Sequence, residues 1–177
     1  MSRSLSTPPR PQIDWTAWEP QMTATLLFVF HGDEVLLIRK KRGLGAGKIN
    51  GPGGKIDPGE TPAQCAVRET REELCIQAEN VEEYGLLRFQ FTDGLGLLCH
   101  VFRSDFFTGT PLETEEATPL WTPVNAIPYE EMWEDDRYWF HLLAARRKFV
   151  GNFEFDGDLM LSCEMIEDSG AAQDPLS

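Results

Sequence analysis

Three carboxylates, Glu69, Glu72 and Glu73, fall within one turn of a segment that reads as a helix. Side chains three and four positions apart share a helix face, where like charges repel each other. Such a group is either solvated or neutralised by a cation, and hard cations such as Mg²⁺ bridge protein carboxylates to substrate phosphates. The spacing therefore favours an enzyme that acts on a phosphorylated substrate. A solvated acidic face is the alternative that these three residues leave open.

The segment before the glutamates carries the signals of a helix N-terminus. Thr61 is a good N-cap, Pro62 suits the first helical position, and Gln64 completes a capping box with Thr61. Arg68 is close enough in sequence to orient the carboxylates without filling their site. The arc beside the glutamates is predicted to pack on a sheet and comprises Ala63, Val67, Thr70 and Leu74.

The net charge of −13 over 177 residues is distributed unevenly. Residues 1–58 hold eight Lys or Arg against five Asp or Glu, whereas the rest of the chain holds eight against 24. An acidic surface binds long nucleic acids poorly. The run Arg39–Arg42, ahead of a Gly-rich loop, still concentrates enough cations for a small phosphate ester. Since side chains alternate along a strand, only part of that run is expected to face a site.

Length and hydropathy predict a single domain with neither a transmembrane helix nor the apolar core of a signal peptide. The four cysteines have no paired spacing, so we expect reduced thiols in a cytoplasmic protein; they are Cys65, Cys75, Cys99 and Cys163.

Hydrophobic alternation predicts strands at 23–30, 35–39, 85–92, 97–107, 120–124, 153–155 and 159–165. A second helix is predicted at 136–148, with Asp135 as a possible N-cap, and Asp156-Gly157 is a good hairpin turn. The element order is that of a mixed α/β (α+β) chain.

The stretch from Gly54 to Ile76 resembles the Nudix box, the signature of the Nudix hydrolase family. The matching positions are Gly54, Glu60, Arg68, Glu69, Glu72, Glu73 and Ile76. Thr70 replaces an aliphatic residue of the signature, and Cys75 replaces its last Gly, at the turn that ends the helix. The resemblance implies a Nudix fold, a mixed β-sheet sandwiched between helices, as a single domain over 21–166. Disordered tails are expected at 1–20 and 167–177.

Further segments resemble the branch of that family that hydrolyses oxidised purine nucleoside triphosphates. They are KKRGLGAGKINGPGGKIDPGE, GTPLETEEATPLW, IPYEEMWEDDRYWF and FVGNFEFDGDLM. This resemblance implies Mg²⁺-dependent hydrolysis of substrates such as 8-oxo-dGTP and 2-hydroxy-dATP to the monophosphate and pyrophosphate, with Mn²⁺ as a substitute metal. We expect a monomer that binds a small nucleotide, with no nucleic-acid polymer and no membrane among its partners.

Compared position by position, the resemblance implies a metal site made of the Gly53 main-chain carbonyl, Glu69, Glu72, Glu73 and Glu116. Glu73 or Glu116 is expected to take the proton of the attacking water, and Glu72 to share a metal. A structural group is expected to hold the loop and the helix together: Gly54, Glu60 and Arg68.

The same comparison implies a set of substrate-binding residues: Lys40 near the substrate, Asn50 at the purine edge, Phe89 and Trp133 as aromatic walls, and Asp135 with Asp136 reading the base. A purine has a wide π face that stacks on aromatic rings. Two adjacent acids in an apolar pocket resist ionising together, so one of them can keep a proton and donate it. Our hypothesis is that this shared proton moves to suit a guanine-like or an adenine-like edge.

The residues expected to bind the base also have structural alternatives; at least one of Phe89 and Phe91, on an apolar strand face, is expected to belong to the core. Asp135 or Asp136 can simply cap the second helix, and Asn50 can be a turn residue. Trp133 can belong to the core, as Trp139 is expected to do.

Four substitutions relative to the branch are expected to reshape the pocket wall: Leu44, Ile49, Pro52 and Ala117. Two alternative functions remain. One is another Nudix hydrolase, acting on ADP-ribose, a dinucleoside polyphosphate or undamaged dNTPs; the other is a non-catalytic nucleotide-binding module.

Overall fold

This computed structural model describes residues 10–167. They form eleven strands and two α-helices. The strands are β1 (Met22–His31), β2 (Glu34–Lys40), β3 (Ile49–Asn50), β4 (Gly53–Lys55), β5 (Gln77–Glu79), β6 (Glu82–Phe91), β7 (Gly96–Ser104), β8 (Phe106–Thr108), β9 (Ala117–Pro123), β10 (Phe149–Asp156) and β11 (Leu159–Glu167). The helices are α1 (Pro62–Leu74) and α2 (Asp136–Ala144), and two 3₁₀ turns, Val124–Ala126 and Tyr129–Glu131, precede α2.

Nine of the strands form one mixed sheet. Its main path runs β11-β10-β6-β7-β1-β2-β3, while β4 pairs with β1 and β9 pairs with β2. β1 is parallel to β7 and β10 is parallel to β6, and the other pairings of this sheet are antiparallel. β1 therefore has β7 and β6 on one side, with the predicted pocket residue Phe89 on β6, and β2 and β4 on the other, with Lys40 at the end of β2 and Gly53 on β4.

The two helices cover opposite faces of the sheet. Successive side chains of β1 point to opposite sides and therefore reach both helices in turn. Leu27 and Val29 join a buried cluster with residues of α1. Phe28 and Phe30 join the larger buried cluster, which includes Trp139 and other residues of α2. The prediction of a mixed sheet between helices is confirmed.

The boundaries of α1 follow its capping signals. Thr61 Oγ1 accepts from the Gln64 N–H at 3.2 Å, and Gln64 Oε1 accepts from the Thr61 N–H at 2.9 Å, which completes the predicted capping box. The helix ends at Cys75, with φ 62° and ψ 26°. The cysteine thus adopts the left-handed conformation for which the signature has Gly, and the turn is retained.

The buried side of α1 matches the predicted one in part, at Thr70 and Leu74. It comprises Cys65, Ala66, Thr70, Glu73 and Leu74. Ala63 and Val67, which were predicted to pack on the sheet, are only half-buried and line an open groove. Gly53 and Gly54 of β4 carry no side chains, so the carboxylate side of the helix can pack closely on that strand.

The second helix is shorter than predicted, ending at Ala144 instead of residue 148. Arg146 has φ 57°, which ends the helical path. The buried Arg103 guanidinium donates to the carbonyls of Leu143 at 3.1 Å and Ala144 at 2.9 Å, satisfying acceptors that the helix end exposes. Asp135 precedes the helix, but its side chain makes no capping hydrogen bond, so the capping alternative is wrong for this residue.

The predicted strands are present with shifted ends, and the short β3, β4 and β5 were not predicted. The predicted strand at 97–107 is divided into β7 and β8, because Ser104 Oγ bonds to the backbone of Glu79 and Phe106 and turns the chain.

The N-terminal tail predicted over 1–20 is partly described. Residues 14–17 form a turn, and Trp18 Nε1 donates to Gln90 Oε1 at 2.8 Å. The disorder predicted for 1–9 and for 168–177 falls outside the described residues. Between residues 10 and 167, neither helix has the length and apolar character needed to cross a membrane.

Candidate active site

Three carboxylates from two separate parts of the chain meet beside β4. Oxygens of Glu69 and Glu73 on α1 and of Glu116, just before β9, all lie within 4.8 Å of one another. Hard divalent cations prefer carboxylate oxygens as ligands. The donor set and its spacing therefore fit a divalent cation, and a glutamate more than forty residues beyond α1 completes the site that the helix begins.

Two glycines of β4 allow close packing at this position, Gly54 against a carboxylate of α1 and Gly53 against the backbone of β1. A Cβ on Gly54 would lie 2.4 Å from the Glu69 carboxyl carbon. A Cβ on Gly53 would lie 1.8 Å from the main-chain oxygen of Thr25 on β1. The Gly53 N–H donates to Glu73 Oε2 at 3.1 Å, so the backbone of β4 holds the most buried of the three carboxylates.

The electrostatics of the cluster favour a bound cation. Burial raises the pKa of Glu73 to about 8; the charge of Glu69 adds to this rise, while the Gly53 N–H and the charge of Lys40 oppose it. Burial also raises the pKa of Glu69, against the lowering effect of Arg68. Without a cation, burial therefore favours the protonated carboxyls. A bound divalent cation would reverse this preference, because its charge stabilises the ionised carboxylates.

Glu116 is placed by the pairing of β9 with β2. Lys40 and Ala117 are register partners, and the Lys41 N–H donates to the Glu116 carbonyl at 2.9 Å. Arg42 Nη2 lies 2.7 Å from Glu116 Oε1.

Glu72, the other predicted metal ligand on α1, lies outside the cluster formed by Glu69, Glu73 and Glu116. Its side chain is 50% exposed and accepts from Arg68 Nη1 at 3.2 Å. A direct role for Glu72 in metal binding remains a prediction.

Arg68 and Glu60 connect the loop before α1 to the helix. Arg68 Nε and Nη2 donate to the two oxygens of Glu60 at 2.7 and 2.9 Å, and Nη1 donates to Glu69 Oε1 at 2.9 Å. The guanidinium holds the pKa of Glu60 at about 2, helped by the Asp57 N–H. Glu60 therefore fixes Arg68, and Arg68 in turn orients Glu69. This arrangement joins the loop to the helix, as expected of the structural group.

A cavity of about 360 Å³ opens next to the carboxylate cluster. Its volume is in the range of small-molecule sites. Glu73 and Lys40 border it, and so do Asn50, Asp135 and Asp136. One cavity therefore joins the candidate metal site to the predicted base-reading residues.

Aromatic rings form much of the cavity wall. Phe89 and Trp133 border it as predicted, together with Phe91 and Phe155. Phe89 stacks on Phe153, which fixes its ring from the core side at a centroid distance of 5.4 Å. Trp139 is fully buried and does not border the cavity, so the expectation that it is structural is confirmed.

Asp135 and Asp136 are both buried beside the cavity, with 3% and 2% of their surface exposed. Asp135 Oδ2 accepts from Trp139 Nε1 at 2.8 Å, whereas Asp136 Oδ2 has no hydrogen-bond partner among residues 10–167. Burial raises the pKa of Asp135 to about 6, and burial and the charge of Asp135 raise the pKa of Asp136 well above its usual value. The pair therefore favours a state in which one carboxyl keeps its proton.

Only part of the basic run of residues 39–42 faces the cavity, as the alternation of side chains along a strand predicts. Within residues 10–167, Lys40 is the member of the run that borders the cavity. The other members pair with acids: Arg39 with Glu131 and Lys41 with Glu113 at the surface, and Arg42 with Glu116 of the carboxylate cluster.

Several cavity residues were missed by sequence reasoning: Met22, Ala24, Thr25, Leu26, Leu97 and Cys99. They lie on β1 and β7, whose parallel pairing brings Ala24 opposite Cys99. Alternation within each strand was visible in the sequence, but this long-range pairing was not. Among the substitutions expected to reshape the wall, Leu44 borders the cavity, whereas Ile49, Pro52 and Ala117 do not.

Comparison with known proteins places this geometry in a family. The oxidized purine nucleoside triphosphate hydrolase of Mus musculus is 42% identical over 145 residues, which cover 81% of this chain and 93% of that protein. The protein of the same name from Danio rerio is 42% identical over 134 residues, which cover 75% of this chain and 86% of that protein.

Among solved structures, the MutT protein from Bacillus halodurans matches with a TM-score of 0.74 at 27% identity, over 81% of this chain and 97% of that chain. The family model described as the NUDIX domain matches residues 20–143, which include the carboxylate cluster and both aspartates. The chain belongs to the Nudix family.

Proposed function

We propose that this chain hydrolyses oxidised purine nucleoside triphosphates, such as 8-oxo-dGTP and 2-hydroxy-dATP, to the monophosphate and pyrophosphate with Mg²⁺ as the metal. The observation that carries the proposal is the single cavity bordered by Glu73 at the carboxylate cluster and by the buried Asp135 and Asp136. Two relatives that are 42% identical bear the name of this activity. Such an enzyme removes damaged nucleotides before they enter DNA.

At the phosphate end, Glu69, Glu73 and Glu116 would hold the cation together with the carbonyl of Gly53. Bound there, Mg²⁺ neutralises phosphate charge and lowers the pKa of a water molecule. Lys40 directs positive charge into the cavity toward the triphosphate. Glu73 or Glu116 takes the proton from the water that attacks the β-phosphorus; the bond from that phosphorus to the α–β bridging oxygen breaks, the nucleoside monophosphate leaves, and the water oxygen is retained in pyrophosphate.

At the base end, Trp133 and Phe89 offer π surfaces for the purine, and stacking of this kind contributes about 1–3 kcal/mol per base. Asp136 Oδ2, buried and without a partner in the described part of the chain, can hydrogen-bond to a base edge. A protonated carboxyl donates and an ionised one accepts, so the two aspartates together can match the extra carbonyl and N–H of an oxidised purine. Asn50 borders the same space and adds an amide.

The proposal is tested by measuring pyrophosphate release from 8-oxo-dGTP, 2-hydroxy-dATP, O6-methyl-dGTP, dGTP and ADP-ribose, each with Mg²⁺ and with EDTA. We expect the highest kcat/KM on an oxidised purine triphosphate and no turnover in EDTA. A preference for ADP-ribose or dGTP would instead indicate a different Nudix hydrolase. Binding of nucleotides without turnover of any of the five would indicate a non-catalytic module.

A further inference from the structure

Lys48, on the Gly-rich loop before β3, lies against the outside of the aromatic cavity wall. Its Nζ lies over the Trp133 ring, 5.1 Å from the centroid. Trp133 borders the cavity, but Lys48 does not. The ammonium therefore covers one face of the indole and leaves another part of its surface to the cavity.

Two further contacts fix Lys48 in this position. Its Nζ is 3.3 Å from Asp158 Oδ2 in the turn between β10 and β11. Its carbonyl accepts from the Lys40 N–H at 3.0 Å, and its own N–H donates to the Gly45 carbonyl at 2.9 Å. The side chain is 25% exposed, so this cation is partly desolvated.

The remaining surroundings of Trp133 limit its movement only in part. Phe91 and Phe155 meet the indole edge to face, at centroid distances of 6.2 and 5.5 Å. Gly45 packs so closely that a Cβ there would lie 2.8 Å from the indole Nε1. Lys48 adds a contact on the ring face, which neither Phe ring supplies with a charge.

We propose that Lys48, anchored by Asp158, is a positioning residue for base binding: it holds the indole of Trp133 in its stacking orientation from the side away from the base. Its charge also withdraws π density from the ring, which favours stacking with an electron-rich oxidised purine. The inference rests on the proposed function for the identity of the base. It assigns to Lys48 an effect on base affinity and not on the reacting phosphates.

The test compares Lys48→Met, which removes the charge but keeps an unbranched side chain, with Lys48→Arg, which keeps a cation. Cation–π contacts of about 1 kcal/mol correspond to about fivefold in affinity. We expect Lys48→Met to raise KM for 8-oxo-dGTP about fivefold with kcat little changed, Lys48→Arg to restore KM, and Asp158→Asn to fall between them. Lys41→Met is the matched control, since it removes a lysine paired with a surface acid away from the cavity.

Calorimetric binding separates positioning from simple attraction of phosphate. The probes are the nucleoside 8-oxo-2′-deoxyguanosine and its monophosphate. The proposal predicts the same loss of about fivefold for both. A loss confined to phosphate-bearing ligands would overturn it, because that pattern belongs to a phosphate-binding lysine.

A double-mutant cycle links the effect to the indole. In a Trp133→Leu background, Lys48→Met should produce no further loss of affinity for the nucleoside. An equal loss in both backgrounds would overturn the proposal while leaving the proposed hydrolysis untouched. Failure to hydrolyse 8-oxo-dGTP, with the coupling between Lys48 and Trp133 intact in nucleoside binding, would contradict the proposed function alone.

Discussion

At the scale of single residues, the site is organised around acids kept in surroundings that oppose their ionisation. Glu73 and Asp135 both have raised pKa values because they are buried. The consequences differ, since Glu73 belongs to a cluster that fits a cation, whereas Asp135 borders the aromatic part of the cavity. The first acid is suited to metal binding and the second to sharing a proton with its neighbour.

Substituting each base-reading acid should change substrate preference. Asp135→Asn and Asp136→Asn each replace a carboxyl by an amide that cannot exchange its donor and acceptor roles by moving a proton. We expect kcat/KM for 8-oxo-dGTP and for 2-hydroxy-dATP to fall by different factors, with at least one loss of about tenfold or more. Equal losses on both substrates for both variants would contradict separate roles for the two aspartates.

The raised pKa of Asp135 also predicts a pH effect on stability. Because its folded-state pKa of about 6 lies above the ordinary value of 3.8, the folded state binds more protons between these values. Stability therefore falls as pH rises through that window, and the loss persists at higher pH. Asp135→Asn should raise the free energy of unfolding at pH 8 by about 1–3 kcal/mol, and the gain should vanish near pH 4.

Denaturant unfolding at a series of pH values measures this effect. Asp33→Asn is the control, because Asp33 is exposed in the turn between β1 and β2 and should give no gain at any pH. If Asp135→Asn is no more stable than the wild type at pH 8, the ionised and buried Asp135 carboxylate does not lower the free energy of unfolding.

At the scale of elements, α1 and β4 form the frame of the phosphate end. The capping box and Pro62 set where the helix begins, and the left-handed Cys75 sets where it ends. Gly54 lets the Glu69 carboxylate lie directly against β4. The signals at the start of the helix were readable from the sequence because they are local to a few neighbouring residues, whereas the contact of Gly54 with Glu69 depends on the packing of α1 on β4, a strand that was not predicted.

Replacing Cys75 by Gly should stabilise the protein. A residue with a Cβ pays about 1–2 kcal/mol in the left-handed conformation, and Gly avoids this but loses more entropy on folding. We expect a net gain of about 0.5–1 kcal/mol, or roughly 1–4 °C in Tm, by thermal unfolding. Cys75→Ala keeps a Cβ and should give no such gain; an equal rise in Tm for both would mean that loss of the thiol, and not the backbone conformation, is responsible.

At the scale of the whole molecule, the sheet brings together groups that are distant in sequence. The capping signals of the sequence predicted where α1 begins, and the resemblance to the Nudix family implied the mixed sheet between helices and a common site for Lys40, Trp133 and Asp135. It did not predict that Cys99 and Ala24 line the cavity, because their position depends on the pairing of β1 with β7. The buried side of α1 was predicted only in part, at Thr70 and Leu74, because the burial of Cys65, Ala66 and Glu73 depends on tertiary packing.

Metal binding should be coupled to the stability of the whole fold. A ligand that binds the folded state alone raises the free energy of unfolding, by about 2.7 kcal/mol at a concentration one hundred times its Kd. We expect Mg²⁺ to raise the Tm of the nucleotide-free protein and EDTA to reverse the rise. Glu73→Gln should lose most of this response, whereas Glu115→Gln, on the same acidic run as Glu116, should keep it. A Tm that does not respond to Mg²⁺ or Mn²⁺ would contradict a cation site at the carboxylate cluster.

The most direct test of the central claim is the hydrolysis of 8-oxo-dGTP and of dGTP in Mg²⁺, with the products separated by chromatography, for the wild type and for Glu73→Gln. We predict that the wild type releases pyrophosphate and 8-oxo-dGMP with a kcat/KM on 8-oxo-dGTP well above that on dGTP. We predict that Glu73→Gln lowers kcat by about 100-fold or more. Turnover of Glu73→Gln at the wild-type rate, or equal use of the two nucleotides by the wild type, would contradict the account.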